Sequence, residues 1–349
     1  MFLRNCWYVA AWDHELVRKK MMRRTLLNEP VVLYRRDDGT PVALEDRCVH
    51  RHAPLSAGKV LGDNVECPYH GLLYDPSGQC IRVPGQATIP PNAKVTSYPV
   101  VEKNRWVWIW MGDPALADPA LIEDFHWLSD PAWRADGELL HLKGNYLLLV
   151  ENLLDLSHLT FIHPTTLGTD AVAETPMKAA RDGNRVTVTR WVMNKPPPPF
   201  FQRAGGLKGD IDRWQIIEFA PPAFVKLDVG GAIAGTGAPE GNRSQGITMR
   251  NLNAITPETD STTHYFWAQA HNFATNDPSI TRLLVDQVHT AFMEDLHIIS
   301  LQQENIETRP DAVRVDINHD AGGIQARRIV ENLIAAEQAQ KGAAVAAAE

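Results

Sequence analysis

Cys48-Val49-His50-Arg51-His52 and Cys67-Pro68-Tyr69-His70-Gly71 are the two stretches on which the reading of this 349-residue chain turns. They spell C-x-H and C-x-x-H, with residues 51–66 between the halves. Two thiolates and two imidazoles can ligate one metal ion or one cluster. Cys2His2 is a zinc set, but a zinc finger pairs its cysteines in one half and its histidines in the other. Here each half brings one Cys and one His. That division suits a [2Fe–2S] cluster in which one iron takes both cysteines and the other takes both histidines. Neutral imidazole in place of thiolate raises the reduction potential. Zinc stands as the alternative for these four residues taken alone.

The surroundings of the motif are β-rich. Residues 31–34 are β-branched and aromatic, the turn Asp37-Asp38-Gly39-Thr40 follows, and residues 41–44 return. Asp75-Pro76-Ser77-Gly78 is another turn. Trp106-Val107-Trp108-Ile109-Trp110 is a strongly β-prone strand closed by Gly112-Asp113-Pro114. These features predict a small all-β domain over residues 1–115, with residues 112–131 as a linker. Residues 116–349 read as an α+β domain. Residues 147–161 are apolar except at Glu151, Asn152, Asp155, Ser157, His158 and Thr160, and predict a buried helix. Strands are expected over 185–193, 216–229, 247–255 and 262–270, with a stiff proline loop at 196–199. Asp277-Pro278 is a helix start, and that helix can run to about Thr308. A last amphipathic helix is expected over 325–340, with residues 343–348 frayed.

With these elements in place, the chain resembles the oxygenase component of the Rieske non-haem iron oxygenases, along nearly its whole length. The resemblance is carried by Asn5-Cys6-Trp7-Tyr8-Val9-Ala10, the two cluster loops, residues 152–163, and Ile255-Thr256-Pro257-Glu258-Thr259. These look like the monooxygenase branch, which includes vanillate and dicamba O-demethylases and toluenesulfonate methyl-monooxygenase. Residues 163–170 and the 235–241 loop look most like the last of these. The resemblance implies an N-terminal all-β Rieske domain and a C-terminal, helix-grip-like antiparallel sheet with helices. It also implies O2-dependent hydroxylation of an aromatic methyl or methoxy group of an aromatic acid or sulfonate. Ring cis-dihydroxylation by the same metal apparatus is one alternative. A non-enzymatic zinc or cluster-binding module is another.

A mononuclear Fe(II) that meets O2 and substrate needs open positions, commonly left by two His and one carboxylate on one face. Asp155, His158 and His163 form D-x-x-H-x-x-x-x-H. On one straight helix the two histidines would point about 140° apart, at roughly 100° per residue. Pro164 biases His163 out of the helical region, so the helix should end there and let the second imidazole swing back. Taken alone, two unrelated buried histidines would be the plainer reading; the cluster motif upstream tips it toward iron. For the third ligand, a helical wheel of residues 278–308 places Ile280, Leu284, Val288, Ala291, Phe292, Ile298 and Ile299 within about 60° of Asp295. A lone carboxylate on an apolar stripe is costly unless it is paired or metal-bound. A buried salt bridge is the other reading of Asp295. Glu294 falls at the stripe's edge, where water can reach it.

The resemblance carries further roles. Asp155 matches the acid that links the iron site to a cluster histidine, here His70, on a neighbouring subunit of a head-to-tail homotrimer. Asp155 and His158, three apart, would share a helix face. Asn152 matches a site-lining asparagine, and a plain helix-polar role fits it nearly as well. Asp228 and Asn253 fall near pocket-lining positions of the demethylase branch. Arg203, Arg213 and Arg250 can meet a carboxylate or sulfonate, although each also reads as a surface charge.

Composition narrows the rest. The formal net charge is −8, and no Lys/Arg-rich block is present, which argues against a nucleic-acid partner. No apolar run approaches the ~20 residues of a membrane span, and residues 1–8 are a poor signal peptide. Four cysteines in a chain this long do not make a disulfide framework. A cytoplasmic protein is expected. The Gly235-x-Gly237 loop has the wrong spacing for a nucleotide fingerprint. With no flavin or nicotinamide motif, electrons from NAD(P)H must arrive through a separate reductase or ferredoxin.

Overall fold

The computed structural model describes residues 1–164, 168 and 170–348. It divides into two compact units. The first is Met1–Ile122 with Thr256–Asp260, and the second is Glu123–Ile255 with Ser261–Glu349. The division falls at Ile122, within the stretch 112–131 expected as a linker. The expected linker is not a bare tether: it folds into 3-10 turns at Pro114–Leu116, Pro119–Leu121 and His126–Leu128. Asp113 and Asp118 cap the first two by accepting from Ala115 and Ala120 N–H.

The first unit is built from β1 (Trp7–Trp12), β2 (Met22–Leu26), β3 (Glu29–Arg35), β4 (Pro41–Glu45), β5 (Lys59–Leu61), β6 (Asn64–Glu66), β7 (Leu73–Tyr74), β8 (Cys80–Arg82), β9 (Ser97–Tyr98), β10 (Val100–Lys103) and β11 (Trp106–Trp110). They form three sheets, ordered β1-β11-β10, β2-β3-β4-β9 and β5-β6-β7-β8. The tryptophan-rich β11 is buried along its whole length. It pairs with β1 in a register that sets Trp7 opposite Trp110 and Trp12 opposite Trp106. Both pairs meet edge to face, at 5.6 and 5.5 Å, each worth roughly 0.5–1.5 kcal/mol beyond simple burial. The ligand loops lie between β4 and β5 and between β6 and β7. Their core holds Val32, Tyr34, Leu55, Val65 and Tyr74, and buries Cys48 and Cys67 as well.

The second unit is one seven-stranded sheet ordered β12-β18-β17-β16-β15-β14-β13. Its strands are β12 (Arg134–Leu142), β13 (Lys178–Asp182), β14 (Arg185–Lys195), β15 (Ile211–Ala220), β16 (Phe224–Ile233), β17 (Gly246–Pro257) and β18 (Thr263–His271). Its helices are α1 (Tyr146–Leu154), α2 (Leu159–Ile162), α3 (Asp170–Glu174), α4 (Pro199–Gly205), α5 (Pro278–Thr308) and α6 (Ala321–Ala348). Three expectations need correction. Residues 216–229 are not one strand: Pro221-Pro222 lack the N–H groups a ladder needs, and the chain turns there from β15 into β16. The helix expected over 147–161 is broken at Asp155. The last helix is longer than its amphipathic stretch and continues through Ala348. By contrast, α5 starts at Pro278, with Asp277 accepting from Ser279 N–H, and ends at Thr308. Among the described residues, no helix is long and apolar enough to cross a membrane.

Candidate metal centres

The two cluster loops close in the same way. Cys48 N–H donates to Ala53 O and Cys67 N–H to Leu72 O, at 2.9 and 2.8 Å; His52 and Gly71 N–H return to Cys48 O and Cys67 O, at 2.9 and 3.1 Å. Each turn therefore needs a left-handed residue at its fifth position, and His52 and Gly71 have φ of 57° and 70°. Both cysteines are buried and both histidines exposed, so a ligand set of thiolates at the core and imidazoles at the surface results. The imidazoles of His50 and His70 lie 4.5 Å apart between ring centroids, and Tyr69 packs on His70. Burial pushes the Cys67 thiol up, and its neighbour Cys48 adds to this, while the N–H groups of Tyr69 and His70 favour the thiolate. Two thiols crowded together without solvent, with amides aimed at one sulfur, suit a cationic centre that deprotonates both. Tyr74 Oη lies 3.1 Å from Cys48 Sγ. Cys6 and Cys80 are uninvolved; Cys80 is simply part of the core.

The loop geometry makes a prediction. His52→Gly should keep the cluster and move stability by no more than about 1 kcal/mol, since glycine relieves the positive φ. Gly71→Val should lower the melting temperature and the cluster occupancy, because a Cβ there meets Pro84 Cγ at 3.0 Å in addition to the φ strain. Thermal melts followed by cluster absorbance test both.

In the second unit, α1 ends at Leu154, and Asp155 leaves the helix with φ −116° and ψ 95°. Its carboxylate accepts from Ser157 N–H at 2.8 Å and starts a 3-10 turn, Leu156–His158. Asp155 and His158 therefore do not share a helix face; the backbone carbonyl of Asp155, not its side chain, bonds His158 Nδ1. The buried Arg190 on β14 fastens this break. It donates to Thr175 O, Leu156 O, Ser157 Oγ and Gln215 Oε1 at 3.0, 3.2, 2.8 and 3.2 Å. Arg190→Met leaves these buried acceptors unmatched, and should cost about 3 kcal/mol or more in urea denaturation. Arg190→Lys should recover only part, because an ammonium cannot reproduce the fork. α2 then ends at Ile162, and His163 sits outside the helical region with φ −118° and ψ 48°, as Pro164 requires.

These turns bring His158 and His163 onto Asp295, which is 2% exposed within the apolar face of α5. The wheel was right about the face, except that Ile298 is 44% exposed and Leu296 takes its place inside. The three ligand atoms lie within 4.8 Å of one another. Asp295 Oδ1 is 3.4 Å from His158 Nε2 and 3.2 Å from His163 Nε2. Ligands held at about 2.1 Å and roughly a right angle stand about 3.0–3.3 Å apart, so the set fits one ion. Both rings have Nδ1 anchored and Nε2 presented, the arrangement that orients metal-binding imidazoles. For His163 the anchor is Glu294 Oε2 at 2.6 Å. Glu294 had been read as merely solvated; its partner depends on how α5 is rolled against α2, which no local pattern reveals. Burial pulls His158 below its ordinary range. Burial pulls at His163 too, but Asp295 and Glu294 outweigh it and raise that group. Asn152 donates to Asp295 Oδ1 at 3.1 Å, and its own buried Oδ1 has no partner.

The three groups open onto a cavity of about 90 Å³ between the helices and the sheet. Leu153, Leu227, Val229, Met249 and Phe292 make it apolar, while Arg213, Gln215, Asn251 and Gln269 are its polar sheet side chains. Neither Asp228 nor Asn253 lines it. Asp228 points to the other face of β16, where it accepts from Trp214 Nε1 and is neutralised by Arg243 and Arg250 at 2.7 and 3.1 Å. Asn253 is fully buried, bonded to Asn251, Val225 O and Tyr265 Oη. Of the three candidate arginines only Arg213 enters the cavity; Arg203 is exposed on α4. Burial, with Arg190 nearby, pushes the Arg213 guanidinium down to about 10.

Residues 6–99 match the Rieske [2Fe-2S] domain, and residues 142–336 match the vanillate O-demethylase oxygenase C-terminal domain. The chain belongs to the Rieske non-haem iron oxygenases. This oxygenase component is 47% identical over 341 residues to the iron-sulfur subunit of a toluene-4-sulfonate monooxygenase system from Comamonas testosteroni, covering 97% of this chain and 98% of that one. It is 38% identical to the vanillate O-demethylase oxygenase subunit of a Pseudomonas species, across 99% of both chains. The crystal structure of dicamba monooxygenase bound to 3,6-dichlorosalicylic acid superposes with a TM-score of 0.90 at 34% identity, covering 97% of this chain and 99% of that one. Family membership retires the zinc-module reading, and the enzyme is an oxidoreductase that carries a Rieske cluster and non-haem iron. Part of the 163–170 stretch, residues 165–167 and 169, lies outside the described residues.

Proposed function

We propose that this chain is the terminal oxygenase of a multicomponent system that hydroxylates a methyl or methoxy group on an aromatic acid or sulfonate. The observation that carries the reading is the apolar cavity onto which His158, His163 and Asp295 converge. The names of its relatives support the substrate class. Cys48, Cys67, His50 and His70 hold the cluster, and His158, His163 and Asp295 hold the iron. When bound, the cluster delivers single electrons and the iron activates O2. Glu294 and the Asp155 carbonyl fix the two imidazoles so that Nε2 faces inward. Asn152 holds one oxygen of Asp295. The leucine, valine and phenylalanine walls exclude water from the reacting carbon. Two electrons and two protons reduce the second oxygen atom to water. A hydroxylated methoxy group is a hemiacetal, which loses formaldehyde to leave the phenol; a hydroxylated aryl methyl is a benzylic alcohol.

The electrons come from a separate reductase or ferredoxin. They reach the iron site between subunits of a homotrimer, from His70 of one copy to Asp155 of the next. Two features support that docking. His70 and Tyr69 are exposed. An open cleft of about 370 Å³ reaches Asp155 and His158 beside Val315 and Ile317, which are 78% and 60% exposed. A cytoplasmic setting agrees with four unpaired cysteines. The test supplies reductase and a panel of methyl- and methoxy-substituted benzoates and benzenesulfonates, scoring O2 uptake against product and formaldehyde. With ¹⁸O2, one labelled oxygen in the product is expected. A cis-diol with two would sink the monooxygenase reading.

A further inference from the structure

We propose that Arg213 is the anion receptor of the substrate cavity, taking the carboxylate or sulfonate of an aromatic substrate. The assignment rests on the oxygenase reading above and adds to it the residue that selects charge. Arg213 is 7% exposed, yet among the described residues it makes no ion pair or hydrogen bond, and its buried Nε has no partner. The ring of Phe201 lies 5.3 Å from its guanidinium carbon. The buried Arg190 and the half-buried Arg243 and Arg250 each have an acceptor, although Arg250 Nε, like Arg213 Nε, has none. Arg190 has four acceptors, and Arg243 and Arg250 share Asp228.

A buried cation without a counter-charge is strongly unfavourable, and it persists where a ligand completes it. The guanidinium fork matches two oxygens of a carboxylate or sulfonate. Among the described residues, Arg213 is the only Lys or Arg lining the cavity, and Asp295 the only carboxylate. The first sits on the sheet and the second on α5. An anionic ring is therefore held at Arg213 by its charged end, which leaves the opposite, methyl-bearing end toward the histidines. Arg213 also bounds a second cavity of about 260 Å³ lined by Lys195 and Pro196–Pro198, so an anion approaching from that side meets a cation first.

The test is calorimetric binding of 4-methylbenzenesulfonate, 4-methylbenzoate and the neutral 4-methylbenzamide to protein carrying its cluster and iron. Wild type should bind at least one anion about 30-fold or more tighter than the amide, and the tighter of the two identifies the anion. Arg213→Met should erase that preference and leave amide binding within a few-fold. Its melting temperature should hold or rise, because an unanswered charge is removed. Arg213→Lys should fall between. An anion preference that survives in Arg213→Met overturns the assignment while leaving the oxygenase reading intact. So does a wild type that prefers the amide, or a lowered melting temperature with amide binding lost, which marks a structural role. The oxygenase reading fails separately, if the reductase-supplied protein consumes no O2 with any ring that binds.

Discussion

Asp295→Ala should yield protein with an unchanged Rieske spectrum, two irons and two acid-labile sulfides per chain, and no third iron. The side chain is 2% exposed on the apolar face of α5. Removing it takes away an oxygen that both Nε2 atoms approach, at 3.4 and 3.2 Å. It also strands Asn152 Nδ2, whose acceptor is Asp295 Oδ1. Two histidines alone hold a divalent ion poorly, and even changes behind the ligands typically cost 10–100-fold in metal affinity. Hydroxylation should fall by at least on the order of 1000-fold. The fold should survive, because an alanine among Leu284, Val288, Phe292 and Ile299 suits that face better than an unmetallated carboxylate. Iron analysis with sulfide quantitation and circular dichroism is the measurement. Loss of iron from both centres, or from neither, would count against the assignment of Asp295.

Why Asp295 was legible and Glu294 was not is a matter of range. A carboxylate centred on an apolar stripe breaks a local rule, and such breaks mark functional sites. His158 and His163 were legible because Pro164 ends a helix by steric necessity. The break at Asp155 had no such marker: Asp tolerates a helix, and what stops α1 is a capping bond to Ser157 together with the Arg190 clamp from β14. Arg213 was left open, as an anion partner or a surface charge, for a different reason. The strand expected over residues 216–229 starts beyond it, so no alternation places its side chain. Once Pro221-Pro222 splits that run and β15 begins at Ile211, alternation puts Ile211, Arg213, Gln215 and Ile217 on one face. The cluster loops were readable outright, since ligand spacing is local chemistry. The buried and exposed ends of the loops were not, since they depend on how the loops after β4 and β6 meet the core.

Asp155→Asn should bind both iron and cluster normally, accept electrons into the cluster, and yet turn over at least on the order of 100-fold more slowly. The substitution is unusually clean. What holds His158 is the backbone carbonyl of residue 155, which any side chain leaves in place. What starts the next turn is Oδ1 accepting from Ser157 N–H at 2.8 Å, and an asparagine oxygen caps as well as an aspartate one. Structure and iron content should therefore match wild type, and only the charge and acceptor capacity of the second carboxylate oxygen are lost. If that oxygen faces the cleft to receive His70 of a neighbouring copy, its replacement by an NH2 group sets a donor against an imidazole N–H. The link then breaks without disturbing either centre. Single-turnover mixing of reduced protein with substrate and O2 separates this from a metal defect: the cluster should stay reduced while product fails to form. Rapid cluster reoxidation coupled to product in Asp155→Asn would remove Asp155 from the electron path. Loss of iron would instead make it a structural prop of His158. Glu151→Gln, on the same cleft but paired with Arg314 and Arg327, should leave the transfer rate unchanged. That makes the position of the charge, and not its mere presence in the cleft, the property under test.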